Sequence, residues 1–317
     1  MNEYRAALNG TAQPVAKQPE GRQRAAIGTL RGLITQYYGS AEFKRLEPHT
    51  QHVRRLILDK LCQSTDANGV CRGDKLYAQM EARNVRILRD EKAATPEAAN
   101  QIVKMLRQVF SYAVATDLAK ANPAKEVPYL KPGTEGFHTW TIDEVYRFEQ
   151  RHPIGTKARL ALALMLYTGQ RRSDIIQFGR QHVKNGWLKI TQQKNRNRKP
   201  ITIEIPVLAE MQNIIDASPC GDLTFLVTEF GRPFTSNGFG NWFRDRCIEA
   251  DVPGRAHGLR KATATRLAEL GASDREIMAV TGHQTSKEVD RYTKAARRKV
   301  LAESAMARMA STKIEQK

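Results

Sequence analysis

Acidic residues are scarce in this chain, and so are cysteine, aromatic residues and long apolar runs. Four cysteines occur in 317 residues, Cys62, Cys71, Cys220 and Cys247. None forms a Cys-x-x-Cys pair, and no histidine stands at zinc-finger spacing, so they read as reduced thiols rather than a disulfide framework or a zinc module. The longest apolar stretch, Leu160 to Tyr167, is far short of the roughly 20 residues that a membrane span needs. Residues 1–20 are polar and carry no signal-peptide core. There is no Walker loop and no carboxylate cluster at metal-ligand spacing, so neither a nucleotide, a metal nor any other cofactor is expected. The expected setting is the cytoplasm, with no membrane partner.

What is present is positive charge. Fifty-one Lys and Arg face 33 Asp and Glu, for a formal net charge of +18. The excess is spread, with 20 basic against 13 acidic residues in 1–130 and 31 against 20 in 131–317. A long polyanion gripped by the whole molecule fits this better than a single basic tail. Hydrophobic residues make up 41% of the chain, enough for packed cores, and the length suits two domains.

Residues 1–26 carry Gly, Pro, Gln and Lys with little periodicity and are expected to be flexible. Residues 27–127 read as a helical module. Val53, Leu56, Ile57 and Leu61 form one apolar stripe, and Ile102, Met105, Leu106, Val109 and Phe110 another. Thr95-Pro96-Glu97 opens the second helix, Thr95 serving as a hydroxyl N-cap, and Asn122-Pro123 closes it. Arg54, Arg55, Lys104 and Arg107 fall outside the stripes and are candidates for a basic, DNA-facing surface. Residues 128–138, with Pro128, Pro132, Gly133 and Gly136, read as a linker. Thr141-Ile-Asp-Glu144 is a capping box that opens a second domain. Its Leu160–Tyr167 helix is apolar all round and therefore buried. Trp187–Gln193 and Ile201–Ile205 alternate like two strands around a basic turn holding Lys194, Arg196, Arg198 and Lys199.

The chemistry concentrates late in the chain. Arg171 stands in Thr168-Gly-Gln-Arg-Arg-Ser-Asp174, His257 and Arg260 in His-Gly-Leu-Arg, and His283 in Thr-Gly-His; Tyr292 follows nine residues later. Cutting a phosphodiester requires neutralising a pentavalent transition state, aiming a nucleophile and protonating the leaving oxygen. Arginine forks bond two phosphate oxygens and stay charged at working pH. His257 and Arg260, at i and i+3, share a helix face. Ser273-Asp-Arg-Glu276 caps the next helix, Gly282 ends it, and Thr285-x-x-Glu288 caps a short final helix bearing Tyr292.

Thr168 to Asp174, Lys194, His257 to Arg260, Gly282-His283 and Tyr292 together resemble the tyrosine recombinase (phage integrase) family, and residues 27–127 resemble its helical core-binding domain by pattern. The resemblance implies a mostly helical α+β fold. A helical core-type DNA-binding domain (27–127) would join a catalytic domain (139–299) of helices around a small antiparallel sheet, making a C-shaped DNA clamp. It implies that Arg171 and Arg260 clamp the scissile phosphate and that Tyr292 attacks it to give a 3′-phosphotyrosyl bond. Lys194 would be the general acid, His257 would assist proton transfer, and His283 would bond the phosphate. Asp174 would orient a neighbour such as Arg171. The hairpin lacks the Thr-Gly that often follows the family's lysine, so Lys199, and less strongly Lys189, compete with Lys194. Arg172 reads as a backbone-phosphate or structural arginine.

The implied function is site-specific recombination of double-stranded DNA by a homotetramer, serving a phage or other mobile element, with accessory DNA-bending or directionality proteins as further partners. A type IB topoisomerase and an architectural DNA-binding protein are the alternatives. The tail, 300–317, has an apolar face of Val300, Leu301, Ala305 and Met309. It either docks on a neighbouring protomer or packs on its own domain.

Overall fold

The computed structural model of the protein describes residues 26–131, 133 and 136–311. Of the flexible start expected over 1–26, residues 1–25 lie outside the described residues, as do linker positions 132, 134 and 135 and tail residues 312–317. The chain divides into two compact units, Met1–Thr134 and Glu135–Lys317. No helix among the described residues is long and apolar enough to cross a membrane.

The first unit is helical: α1 (Leu30–Gly39), α2 (Ala41–Lys44), α3 (Pro48–Gln63), α4 (Ala82–Asp90) and α5 (Pro96–Ala115). In α5 the whole expected stripe, Ile102, Met105, Leu106, Val109 and Phe110, is buried. In α3 the stripe is rotated. Leu58, Leu61 and Cys62 are buried, whereas Leu56 is 57% exposed and Val53 is also at the surface. Arg54 lies half-buried along the true core edge, with its guanidinium donating to the Tyr37 hydroxyl. Its aliphatic stem therefore occupies a place that apolar counting reserves for Val53. α5 starts at Pro96, but the Thr95 side chain does not cap it. The helix stops at Ala115, before Asn122-Pro123, where Asp117 turns left-handed (φ 57°).

The second unit opens on α6 (Ile142–Arg151), whose capping box forms as expected: Glu144 N–H donates to Thr141 Oγ1 at 3.2 Å and Thr141 N–H to Glu144 Oε2 at 2.9 Å. Helix α7 (Lys157–Thr168) is its buried centre, with every residue from Leu160 to Leu166 in the core. α8 (Arg172–Ile175) precedes an antiparallel sheet, β1 (Val183–Lys184), β2 (Trp187–Thr191) and β3 (Thr202–Pro206), in that order. Leu188 pairs with Ile205 and Ile190 with Ile203, and all four face the core. The short β1 is additional to the expected hairpin. It turns into β2 through Asn185-Gly186, both at positive φ (51° and 75°), the conformation that Asn-Gly favours in tight hairpins.

Four helices complete the unit before the last one: α9 (Ala209–Ala217), α10 (Ser236–Glu249), α11 (Ala256–Glu269) and α12 (Asp274–Thr281). The expected short tyrosine helix and the tail are in fact one 26-residue helix, α13 (Ser286–Ser311). The reason is compositional, since residues 294–310 contain no Gly or Pro and are rich in Ala, Arg, Lys, Leu and Met, the strongest helix formers. The fold is mostly helical α+β with one small antiparallel sheet.

Candidate active site

Three helix ends and one strand end make the site. α7 ends at Gly169 in the left-handed conformation (φ 61°), and a Cβ there would lie 3.1 Å from Thr263 Cγ2 and 3.3 Å from Thr281 Cγ2. Glycine thus lets α7 stop hard against α11 and α12. Two residues later, Arg171 leaves this turn half-buried, as the N-cap of α8. Arg260, in α11, is 2% exposed, and its Nη1 donates to Gly169 O at 2.7 Å and Thr281 O at 2.6 Å. Both acceptors sit at helix C-termini, where the partial negative charge of the helix suits a buried guanidinium.

α12 closes through Gly282 (φ 73°), which sets His283 two residues after Thr281, the residue whose carbonyl binds Arg260. The Thr281 hydroxyl lies 2.6 Å from Ile277 O and 2.7 Å from His283 Nδ1. A carbonyl only accepts, so the single hydroxyl proton goes to Ile277 and Nδ1 must donate; the neutral ring then carries its lone pair on Nε2. Burial, then the Arg260 charge, push the His283 pKa down to about 4, against the opposing pull of Glu288. His257 in the first turn of α11 has Phe137 against its ring, with centroids 4.7 Å apart. Its pKa is also lowered, by partial burial and then by the charges of Arg260, Arg171 and Lys261.

Lys194 stands exposed in the β2–β3 turn and lines a cleft of about 360 Å³ together with Arg171, Gln192, Gly282 and Glu288. Burial alone would raise the Glu288 pKa, but the Gln284 N–H and the charges of His283 and Lys194 hold it below its ordinary value. Lys199 is not among the cleft residues, and Lys189 pairs across the sheet with Glu204 at 3.2 Å. Tyr292 belongs to α13, and its side chain lies outside the described residues. The helix around it is pinned: Val289, Thr293 and Ala296 are buried, and Val289 and Ala296 share a core cluster with Ala264, Ala268 and Ile277 of α11 and α12.

The structure therefore joins Arg171, Arg260 and His283 through Gln192 and Thr281, places Lys194 on the cleft that Arg171 lines, and sets His257 one turn before Arg260 on α11. Asp174 is fully buried and serves a different neighbour from the one expected. Its Oδ1 accepts the Gln193 N–H at 2.8 Å, next to Lys194, rather than bonding the Arg171 guanidinium. Burial raises the Asp174 pKa against the opposing effects of that N–H and of Arg171 and Arg260.

The DNA-contact candidates fall elsewhere. Arg196, Arg198 and Lys199 are exposed on the Lys194 turn, and Lys104 is exposed on α5. Arg55 lies over the Tyr38 ring at 4.2 Å. Arg107 donates Nε to Ala124 O at 2.8 Å and stacks over Tyr129 at 4.5 Å, so it braces the chain after α5. Arg172 is exposed, with its Nη2 3.4 Å from Asn237 Oδ1.

Sequence reading missed two buried glutamines, Gln170 and Gln192, whose amides join Arg171 to the end of α12. One signal was available. Gln192 continues the inward register of Leu188 and Ile190, and a polar residue in that register has to find partners in the core.

Residues 139–299 match the sequence profile of the phage integrase family. The virulence plasmid integrase pGP8-D of Chlamydia muridarum is 31% identical over 140 residues, a match spanning 42% of this chain and 42% of that protein, less than half its length. Tyrosine recombinase XerC 2 of Ralstonia nicotianae is 22% identical over 300 residues, 87% of this chain and 86% of that one. The fold matches a lambda integrase dimer bound to a COC′ core site with a TM-score of 0.71 at 19% identity, over 83% of this chain and 95% of that chain. It also matches a lambda integrase tetramer bound to a Holliday junction with a TM-score of 0.69 at 18% identity, over 90% and 87%.

Proposed function

The chain belongs to the phage integrase family, and on that premise we propose that it is a site-specific DNA recombinase that breaks and rejoins strands through Tyr292. The observation that carries this is the bonded linkage of Arg171, Arg260 and His283 through Gln192 and Thr281, with Lys194 on the cleft that Arg171 lines and a helix anchored on either side of Tyr292.

Arg171 and Arg260 neutralise the non-bridging oxygens of the scissile phosphate. Tyr292 Oη attacks phosphorus as the bond to the 5′-oxygen breaks. The phenolic proton passes to His257, which its lowered pKa keeps neutral and able to accept. Lys194 donates a proton to the departing 5′-oxygen. One phosphoester replaces another, so the 3′-phosphotyrosyl bond keeps the energy needed for a second 5′-hydroxyl to reverse the step. His283 meets the phosphate through Nε2, which must first take up a proton, and the phosphate charge favours that uptake.

Double-stranded DNA is the substrate, with residues 27–127 as a core-type binding domain, 139–299 as the catalytic domain, and Lys104, Arg196 and Arg198 as phosphate contacts. The lambda integrase dimer on a core site and tetramer on a Holliday junction support a multimer on DNA, which we extend to a homotetramer acting for a mobile element in its host's cytoplasm. Residues 301–310 are exposed throughout, with Leu301, Met306 and Met309 each more than 60% accessible. That favours docking on a neighbouring protomer over packing on the tail's own domain. Deleting 300–317 is expected to leave binding of a single site intact and to impair assembly of paired sites; unchanged strand exchange would remove the docking role.

The decisive experiment is a covalent trap. The protein and its Tyr292→Phe variant are incubated with nicked suicide duplexes drawn from DNA flanking the gene. A 3′-linked, denaturation-resistant adduct that the variant cannot form supports the reading. An adduct of equal yield from the variant removes Tyr292 as the nucleophile. Recombinant products, as opposed to relaxation alone, separate a recombinase from a type IB topoisomerase.

A further inference from the structure

We propose that Gln192 is a positioning residue for strand cleavage, setting the orientation of the Arg171 guanidinium and its spacing from Arg260. This rests on the reading of Arg171 as a phosphate clamp.

Gln192, directly after β2, is fully buried. Its Oε1 accepts Arg171 Nη1 at 2.9 Å, and its Nε2 donates to Gln170 Oε1 at 2.6 Å and Thr281 O at 2.9 Å. Gln170, also fully buried, donates its Nε2 to Thr168 O at 2.9 Å and Val280 O at 2.7 Å. These bonds impose a direction. Two carbonyls accept from the Gln170 amide nitrogen, so its oxygen faces Gln192, which must answer with nitrogen and therefore turns its own oxygen to Arg171. A flip of either amide would set donor against donor or acceptor against acceptor.

The chain of bonds converges on one atom. Thr281 O accepts from Arg260 Nη1 directly and from Gln192 Nε2, and Gln192 holds Arg171. One carbonyl and one amide thus fix the separation of the two guanidinium groups. Gly282 makes room for this, because a Cβ there would collide with the Gln192 amide. Leu188 and Ile190 show that an apolar side chain suits this register, and burying an amide costs free energy unless every polar atom is satisfied. A satisfied amide that also grips the half-buried arginine does what an apolar residue cannot. It removes rotamer freedom from a long side chain before the phosphate arrives.

The test compares cleavage rates on two suicide duplexes, one with a natural scissile phosphodiester and one with a methylphosphonate, in which a methyl group replaces a charged non-bridging oxygen. An arginine that works by neutralising that oxygen is needed less on the second substrate. Gln192→Met, close in volume, is measured beside wild type and Arg171→Ala. On the phosphodiester, Gln192→Met should cleave roughly 100-fold more slowly, the scale expected when a reacting group is misplaced. On the methylphosphonate its deficit should shrink, as that of Arg171→Ala does. Each ratio is taken within one preparation, so a loss of folded protein cancels. An equal deficit on both substrates would show that Gln192 is only a packing residue and overturn the proposal, as would an unimpaired variant. If Arg171→Ala keeps its full deficit on the methylphosphonate while wild type cleaves both, the clamp reading itself fails and the proposal with it. Gln192→Glu adds a second readout. It keeps an acceptor for Arg171 but places a carboxylate against Gln170 Oε1 and Thr281 O, so its cleavage should recover towards wild type as acid protonates the new group.

Discussion

Burial and the neighbouring Arg260 leave His283 uncharged at neutral pH, with a pKa of about 4 against an ordinary value near 6.5. Between those two values the unfolded chain binds a proton that the folded chain refuses. Stability is therefore lost as pH falls from 6.5 towards 4, by about 3 kcal/mol in all. His283→Gln removes this titration. Urea midpoints of the two proteins should differ in a pH-dependent way, with the variant losing less between pH 7 and pH 4.5; parallel profiles would contradict the lowered pKa. His257 is lowered too, so DNA cleavage should hold below the ordinary histidine range, about pH 6.5, before falling in acid. A pH–rate profile breaking at or above that value would remove His257 as the proton acceptor. At this scale the arginines and histidines that the structure brings together were legible, because each stands in a short motif whose order and spacing can be read along the chain. Gln170, Gln192 and the true partner of Asp174 were not, because an amide or a buried carboxylate takes its role from the backbone atoms that folding brings to it.

Gly271 and Gly282 both follow helices with positive φ, 85° and 73°. An alanine at either should cost about 1–2 kcal/mol of left-handed strain, some 2–8 °C in melting temperature for a domain of this size. Only at Gly282 would the new methyl also displace Gln192. Gly271→Ala should therefore cleave DNA normally once folded, and Gly282→Ala should melt lower still and cleave poorly. Calorimetry with a suicide-substrate assay checks both, and equal behaviour would refute the role given to the Gly282–Gln192 approach. Arg107 belongs at this scale as well, since it braces the segment after α5 through Ala124 O and Tyr129. Arg107→Ala should lower stability without changing the salt dependence of DNA binding. Helix positions and caps were largely legible, as the α6 and α12 capping boxes and the α5 stripe show. The rotation of α3 was not, because an arginine stem filled an apolar position, and β1 went unread because two residues carry no periodicity, although Asn185-Gly186 marked its turn.

Across the whole molecule, the net charge of +18, distributed over both units, gives a binding law that can be measured. With 6–10 phosphates neutralised, affinity should fall about 10³- to 10⁵-fold between 50 and 200 mM salt, and replacing Arg196 or Lys104 by Ala should each reduce the log–log slope by about 1. Fluorescence anisotropy over a salt series measures this, and a flat dependence would contradict a phosphate-gripping protein. The charge and the order of the reactive residues were open to reading from the start. The continuity of α13 needed the structure, because a capping signal announces where a helix begins and this one had no stop signal to reveal its length. That continuity has a mechanical side. The buried stripe from Val289 to Ala296 acts as a fulcrum under the backbone of Tyr292. Beyond it, at 1.5 Å per residue, the exposed rod extends roughly 20 Å to its last turn. A sideways force at the far end therefore acts through a long arm, and the short buried segment that carries Tyr292 takes it up as a larger force over a smaller displacement. The geometry suits fine adjustment of the backbone that carries Tyr292.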